Sequence, residues 1–246
     1  MYAGGVNISV VIPAFNEEKL LPGTLAAVQA ALDAFRKKGW AVEIVVCDNN
    51  STDRTAAVAR EAGARVVFEP VNQIGRARNS GAAAATGDWL VFVDADSSPS
   101  AALFEDVAEQ IRSGKCLAGG STVVLDEHHF SADLLVALWN GLSRWQRLLA
   151  GSFIFVERRI FHELGGFDAR LYAAEELELS QRLKKRARDE GRSIVVLHRH
   201  PLKTSARKLK LYSFRERFVF FIQTLFWHRR SVASREAAYL WYDGRR

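Results

Sequence analysis

The sequence has little cysteine and no long apolar run, and these shortages exclude several classes of protein. Only two cysteines, Cys47 and Cys116, occur among 246 residues, and both lie within apolar stretches. A secreted scaffold held by disulfides is therefore excluded, and reduced thiols in a cytosolic setting are the simpler interpretation. No apolar run approaches the roughly 18–20 residues that cross a bilayer. The first five residues also lack the basic start of a signal peptide.

The excess of one charge is also small. The 34 Lys and Arg residues exceed the 28 Asp and Glu residues by six, giving a net charge of +6. This excess does not by itself indicate nucleic acid binding, and it suits an anionic small molecule or an anionic surface equally well. With 48% hydrophobic and 25% charged residues, the composition is that of an ordinary globular protein rather than a disordered one.

Four short apolar runs in the first half of the chain are typical of buried strands. They cover residues 8–12, 42–47, 64–68 and 89–93, and helical stretches at about 17–38, 53–62 and 75–86 separate them. The alternation predicts βαβ units and a parallel sheet. Ligands of such sheets bind beyond the carboxyl ends of the strands, so the chemistry is expected at the polar residues that follow them.

The second half is less regular. Its patterns predict helices at 100–113, 131–149 and 174–189, and strands at 117–125, 151–156 and 193–197. A basic, aromatic and helical segment is predicted from Arg207 to Trp227. No repeat or linker separates the halves, so they are expected to share one compact body.

The segment Asp94-Ala95-Asp96 follows the fourth predicted strand. Side chains two residues apart on an extended chain point the same way, so these carboxylates are expected to converge. Such a pair is costly unless a cation neutralises it. Mg²⁺ or Mn²⁺, held by one or two carboxylates and by substrate phosphates, is the natural occupant. The alternative is a solvated acidic turn ahead of the next helix.

Four motifs in order resemble the nucleotide-sugar domain of family 2 glycosyltransferases, which have the GT-A fold. They are Val10–Glu18, Val46–Thr55, Asn72 with Gly75–Gly81, and Asp94–Asp96. Gly165–Asp168 and Ala174–Leu183 look like the acceptor-side segment of that family. The resemblance covers residues 7 to about 206. It implies an α/β, Rossmann-like, mainly parallel sheet flanked by helices, with a C-terminal helical segment. It also implies an inverting, metal-dependent transfer of sugar from a UDP- or GDP-sugar to a hydroxyl acceptor.

The same resemblance implies which residues bind the nucleotide. Asp48 contacts the nucleobase. Apart from the resemblance, Arg207 could close over the diphosphate or belong to a solvated basic face. Arg76 and Arg78 begin a helix, where exposed N–H groups also favour anions. The expected nucleotide-binding residues are Pro13, Ala14, Phe15, Glu17, Asp48, Asn50, Arg76, Arg78, Asp94 and Arg207. The plainer alternative for each is a turn, a helix cap or a solvated surface group.

Metal and catalytic roles follow from the resemblance as well. Asp96 and Asp94 are the expected metal ligands, and His200 or His198 could complete the site or lie on the surface. The family usually has Glu-Asp where this chain has Glu175-Glu176. Glu176 is the expected base for the acceptor hydroxyl, with Glu175 as the alternative. Both glutamates could instead only complement the helix dipole.

On this interpretation residues 1–115 form a nucleotide-sugar half, 116–206 an acceptor half and 207–246 a C-terminal segment. The acceptor is a polysaccharide, glycolipid or small molecule, and nucleic acid is not a partner. The C-terminal segment could lie on a membrane, pack on the body or join a homodimer. A cytoplasmic protein, at the inner membrane face in the first case, is expected. The rival functions are a nucleotidyltransferase and a non-catalytic nucleotide-binding or membrane-surface module. A dinucleotide-dependent oxidoreductase would need glycines that are missing after the first strand.

Overall fold

The computed structural model describes residues 5–128 and 130–207. Within them, eight strands form one mixed sheet with helices on both faces. The strands are β1 (Asn7–Ala14), β2 (Ala41–Asp48), β3 (Arg65–Phe68), β4 (Trp89–Val93), β5 (Ser97–Ser98), β6 (Cys116–Leu125), β7 (Phe153–Glu157) and β8 (Ser193–Thr204). The helices are α1 (Leu21–Ala31), α2 (Asp33–Arg36), α3 (Thr55–Glu61), α4 (Ile74–Ala84), α5 (Ala101–Ser113), α6 (Phe130–Gln146), α7 (Arg158–Glu163) and α8 (Glu175–Asp189).

The strand order, β3-β2-β1-β4-β7-β6-β8-β5, brings strands from both halves of the chain together. Strands β3, β2, β1 and β4 are parallel, as their continuous apolar runs predict. β1 and β2 end in register at Ala14 and Asp48, so the loops after them are adjacent. β7 runs antiparallel to β4 and pairs Phe153 with Val93. The start of β7 therefore lies beside the carboxyl end of β4.

Two apolar layers hold the helices against the sheet. On one face α2 and α5 pack through Phe35 and Phe104, whose ring centroids are 5.1 Å apart. On the other face Phe92 of β4 meets Phe167 edge-on, with ring centroids 5.3 Å apart. Aromatic pairs at this spacing add about 0.5–1.5 kcal/mol to the contribution of buried area. Because helices cover both faces of the sheet, the loops at the carboxyl ends of the parallel strands are held along one edge.

The predicted elements are found with small shifts at their ends, and two of them differ more. The helix predicted at 17–38 forms two helices, α1 and α2, with Leu32 between them. The strand predicted at 193–197 continues to Thr204, because pairing with β6 and β5 extends it through polar residues and past Pro201. Helix α7 and the two-residue strand β5 carry no clear sequence pattern. Of the helical segment predicted at 207–227, only Arg207 falls within the described residues.

Among residues 5–128 and 130–207, no helix is both long enough and apolar enough to cross a membrane.

Candidate active site

A cavity of about 210 Å³ opens beyond the carboxyl end of β4. Residues from α4, the turn after β4, the start of β7 and the start of α8 surround it. They are Ile74, Arg78, Asp94, Gly151, Ser152, Tyr172, Ala173, Ala174, Glu175 and Glu176. Four predicted site residues therefore meet around one space although they come from distant parts of the sequence: Arg78, Asp94, Glu175 and Glu176.

The acidic segment after β4 forms a tight turn. The Ser97 amide donates to the Asp94 carbonyl at 3.1 Å, which closes the turn over residues 94–97. The expectation that Asp94 and Asp96 point the same way because they are two apart on an extended chain is therefore wrong, since the chain forms a turn there. Three distant groups hold the turn's backbone: the Ser152 carbonyl, the Thr24 hydroxyl and the Ser205 amide. The Thr24 hydroxyl donates to the Ala95 carbonyl at 2.7 Å. The acidic turn is thus fixed by its backbone.

Arg78 lies beneath the cavity and joins its two acidic walls. Its guanidinium donates to Glu175 Oε1 at 2.7 Å, Asp94 Oδ1 at 2.9 Å and the Gly151 carbonyl at 2.8 Å. The Arg78 side chain is only 3% exposed. A buried guanidinium needs such paired partners, since an isolated charge in the interior is costly. Burial disfavours its charge, but Asp94 and Glu175 outweigh that effect and raise the pKa of Arg78.

Two neighbours shape the space around this guanidinium. The Phe167 ring centroid is 5.3 Å from Arg78 Cζ, within the range of a cation–π contact. A Cβ on Gly151 would lie 3.1 Å from Arg78 Nη2 and 3.5 Å from Glu176 Cδ. Glycine at this position therefore lets the backbone carbonyl approach the guanidinium.

Helix α8 begins at the cavity wall with Glu175 and Glu176. The residue before them, Ala174, has φ = +59°. This left-handed conformation is uncommon for a residue with a Cβ, and such strain concentrates at functional sites. Glu175 is 2% exposed and faces Arg78, whereas Glu176 is half-buried and lines the cavity.

The two glutamates lie close enough to influence each other's protonation. Burial and the charge of Glu175 raise the pKa of Glu176 to about 8. Burial also raises the pKa of Glu175, although Arg78 opposes that rise. The Glu175 carboxylate accepts a hydrogen bond from the Arg78 guanidinium, which favours its charged form against the effect of burial. The two carboxyls therefore titrate as a pair, of which Glu176 is the more exposed member.

The loops after β1 and β2 are joined by hydrogen bonds. The Glu17 amide donates to the Thr55 hydroxyl at 2.8 Å, and the Thr52 amide donates to the Asn16 side chain at 2.8 Å. Glu17 is buried and accepts from Arg207 Nη2 at 2.7 and 2.9 Å. This ion pair brings together two predicted nucleotide-binding residues that are 190 positions apart.

The remaining predicted nucleotide-binding residues of this region lie at the ends of β1 and β2 or directly after them. Pro13 and Ala14 end β1 and are buried, and Phe15 follows them half-buried. Asp48 ends β2, is 7% exposed, and accepts from the Ser51 amide at 3.1 Å. Asn50 is exposed, with φ = +65°. The structure thus places these residues along the end of β1 and the neighbouring loop after β2.

Arg76 and His200 lie outside the cavity lining. Arg76 is exposed and its Nε donates to Gln73 Oε1 at 3.1 Å. His200 is on β8, where its Nδ1 lies 3.0 Å from Asp106 Oδ2 of α5. His198 is exposed on the same strand. The structure does not bring His200 into the cavity with Asp94, and the predicted histidine ligand has no support from this geometry.

The acidic turn supplies a donor set that fits Mg²⁺ or Mn²⁺. Within the described ranges, no group of three or more His, Cys, Asp and Glu side chains could form a metal cage. Asp94 and Asp96 offer only carboxylate oxygens, and both are partly exposed. An ion that takes one or two carboxylates and completes its shell with water and phosphate oxygens matches such a site. A zinc site of nitrogen and sulfur ligands does not.

Comparison with known families decides the classification. Residues 9–144, more than half of the chain, match the model described as glycosyl transferase family 2. The chain belongs to glycosyl transferase family 2. Among curated family 2 relatives, an uncharacterized glycosyltransferase of Mycobacterium tuberculosis is 39% identical over 116 residues, which are 47% of this chain and 49% of that protein. The dolichol-phosphate mannosyltransferase of Pyrococcus furiosus is 32% identical over 127 residues, covering 48% of this chain and 34% of the relative.

The solved structures show the fold. A mannosyltransferase of Pyrobaculum calidifontis has a TM-score of 0.69 at 20% identity over 91% of this chain and 64% of the other. Glucosyl-3-phosphoglycerate synthase of M. tuberculosis has a TM-score of 0.61 at 22% identity over 89% and 80%. The chain therefore has the expected GT-A fold. It spans about half the length of the curated M. tuberculosis relative.

Some residues that build the site carry no sequence signal that would have found them. The Gln73 side-chain amide donates to the carbonyls of Ala169 and Leu171 at 2.9 and 2.7 Å, which ties the start of α4 to the segment before α8. Thr24 and Gly151 act in the same way on the acidic turn and on Arg78. These roles depend on contacts between residues 71 to 98 positions apart.

Proposed function

We propose that this protein transfers a sugar from a nucleoside-diphosphate sugar to an acceptor hydroxyl with inversion, in a reaction that depends on a divalent metal. The observation that carries the proposal is the meeting of the acidic turn, Arg78 and the Glu175–Glu176 pair around one cavity. The proposed cation site and a titratable carboxyl would then share one cavity. Transfer of a sugar needs both: charge stabilisation for the departing diphosphate and a base for the acceptor.

On the donor side, Asp94 and Asp96 would hold Mg²⁺ or Mn²⁺, with Arg78 fixing Asp94 from below. The metal would supply charge stabilisation to the diphosphate as it leaves. The loops after β1 and β2 provide the place for the base and ribose, with Asp48 and Glu17 as their acidic groups. Arg207 is held by Glu17 at the edge of this region and is the cation suited to the diphosphate.

On the acceptor side, Glu176 is the proposed base. Its pKa of about 8 lies close to a working pH, where a base both accepts a proton readily and is available in its charged form. Glu175 is assigned as a positioning residue, since its carboxylate is hydrogen-bonded to Arg78. A single displacement needs no enzyme nucleophile. The thiols fit that scheme, because burial raises the pKa of Cys47 to about 12 and of Cys116 to about 11.

Ligands of the structural neighbours support the donor and metal assignment. The Pyrobaculum mannosyltransferase was solved with GDP-mannose and Mn²⁺, and the M. tuberculosis synthase with UDP and Mg²⁺. These ligands belong to those proteins. They define the panel of donors with which to test this one.

Product analysis tests the proposal. The protein is incubated with UDP- and GDP-sugars and Mn²⁺, and the released nucleotide is identified by anion-exchange chromatography. Release of nucleoside diphosphate, abolished by chelation and by Asp96→Ala, is the expected result. Release of pyrophosphate would assign nucleotidyl transfer instead, and turnover that persists under chelation would reject the metal role. Asp88→Ala is the matched control, since Asp88 lies at the opposite end of β4.

A further inference from the structure

Helix α6 has two apolar faces, and only one of them is covered. Its inner face packs on the sheet through Ala132 and Val136, and Asn140 pairs with the backbone of Val123 at 2.8 and 3.0 Å. An amphipathic surface helix normally turns charged residues outward from such a face. Here the outward residues are largely apolar instead.

The exposed residues form a continuous stripe. Phe130, Leu134, Leu138 and Trp145 are 89%, 49%, 54% and 78% exposed. Their spacing of four, four and seven residues places them on one side of the helix, over a length of about 22 Å. We call these four residues the α6 stripe. A contiguous apolar patch of this kind on a surface helix marks an interaction site.

Basic side chains surround the end of the stripe that carries Trp145. Arg144 and Arg147 are exposed beside it. Lys184 of α8 adds a further cation, and burial with the charges of Arg188 and Arg147 lowers its pKa. Apolar residues that end at a tryptophan beside a cluster of cations match the interface of an anionic bilayer, with its acyl chains beneath negative headgroups.

The α6 stripe is also adjacent to the cavity. Trp139, on the inner side of α6, packs against the cluster formed by Leu171, Ala173, Ala174 and Leu177. Tyr172 packs on the same cluster and lines the cavity. A surface bound to the outer side of α6 would therefore be separated by one layer of side chains from the part of the cavity lining that contains Tyr172.

We propose that the α6 stripe docks on an anionic lipid bilayer and that the acceptor hydroxyl is carried by a lipid presented at that surface. The acceptor class rests on the proposed transferase function, whereas membrane docking does not. The occupant is a bilayer because the cations lie beside the apolar residues, a combination that a purely apolar protein partner would not require.

Vesicle sedimentation of the full chain tests the docking. The probe is a set of vesicles of phosphatidylglycerol and phosphatidylcholine, compared with pure phosphatidylcholine. The wild type is expected to bind the anionic vesicles, and less so as salt is raised. The variant Leu134→Gln/Leu138→Gln/Trp145→Gln should lose at least about tenfold in partition coefficient, because glutamine removes the apolar contact. Glutamine also forms helices well, so α6 is expected to persist. Arg144→Glu/Lys184→Glu should lose binding only to the anionic vesicles.

Matched variants separate docking from general effects. Phe68→Gln removes another exposed aromatic, and Lys37→Glu/Lys115→Glu makes the same charge change at exposed positions outside α6 and α8. Both should bind vesicles as the wild type does. Equal binding by the stripe variant would overturn the proposal. So would a wild type that ignores vesicles but forms a dimer that the stripe variant loses, since the stripe would then face a second copy.

The acceptor class has its own readout. Nucleoside diphosphate release is measured with the hydroxyl-bearing glycolipids of a membrane extract, and with water as the acceptor. The stripe variant is expected to lose release stimulated by lipid and to keep release to water. If the wild type releases no nucleotide under any condition while still binding vesicles, the transferase proposal fails and docking stands. If release is never stimulated by lipid, the acceptor assignment fails.

Discussion

Replacing Arg78 with methionine would leave Glu175 and Asp94 without the cation to which both are hydrogen-bonded. Methionine keeps most of the side-chain volume, so the change acts mainly on charge and hydrogen bonding. Glu175 is 3% exposed and Asp94 21% exposed at the side chain, so the first of them has almost no access to water. Removing one partner of a buried ion pair costs about 3–5 kcal/mol. For a domain of this size, that loss lowers the melting temperature by about 6–20 °C.

The pH dependence makes this prediction specific. In Arg78→Met the carboxyl of Glu175 loses the charge that favours its ionisation, so it holds its proton to higher pH in the folded state. The extra stability from protonation is present at low pH and lost as pH rises. The variant's deficit in free energy of unfolding should therefore be larger at pH 8 than at pH 5.

Urea denaturation followed by circular dichroism at both pH values measures the deficit. Arg54→Met is the matched control, since its ion pair with Glu61 is 70% and 64% exposed at the side chains and should contribute little. A deficit at Arg78 no larger than at Arg54, or one independent of pH, would refute the argument that this guanidinium neutralises the buried acids.

Three further substitutions test other parts of the site. Glu176→Gln should lower transfer about 10²–10⁴-fold while donor binding is kept. Because the folded-state pKa of about 8 exceeds the ordinary 4.5, Glu176 stabilises the wild type at low pH, and this contribution is lost as pH rises through 8. The fall in melting temperature with pH should be shallower in the variant; an unchanged slope would contradict the raised pKa. Asp96→Ala should lose metal-stimulated turnover but keep the circular dichroism spectrum of the wild type. Turnover of this variant at the wild-type rate would rule out a metal role for Asp96. Thr24→Val should cost about 1–3 kcal/mol by leaving the buried Ala95 carbonyl unpaired, measured by urea denaturation. No loss of stability there would show that the acidic turn does not depend on α1.

The sequence predicts the elements that have strong local patterns. β1, β2 and β4 are found where apolar runs stop at Pro13, Asp48 and Asp94, because a strand buried on both faces requires such runs. β5 and the end of β8 depend instead on pairing between residues about a hundred positions apart. Local patterns carry no information on such pairs.

The same distinction applies to the site. Its candidate residues could be named from motifs, but their partners could not. Arg78 was expected to contact the nucleotide, and the structure shows that its three hydrogen bonds go to Asp94, Gly151 and Glu175. Whether it also contacts a donor stays a prediction. The raised pKa of Glu176 likewise arises from burial and from Glu175, which only the folded chain defines.

Crystals of the protein grown with Mn²⁺ and a nucleoside diphosphate would test the central claim most directly. Anomalous scattering locates the manganese without reference to the protein chemistry. We expect one peak within coordination distance of Asp94 or Asp96 and of the diphosphate oxygens, with the Glu176 carboxyl facing the open side of the cavity. A nucleotide bound elsewhere, with no peak at the acidic turn, would contradict the account.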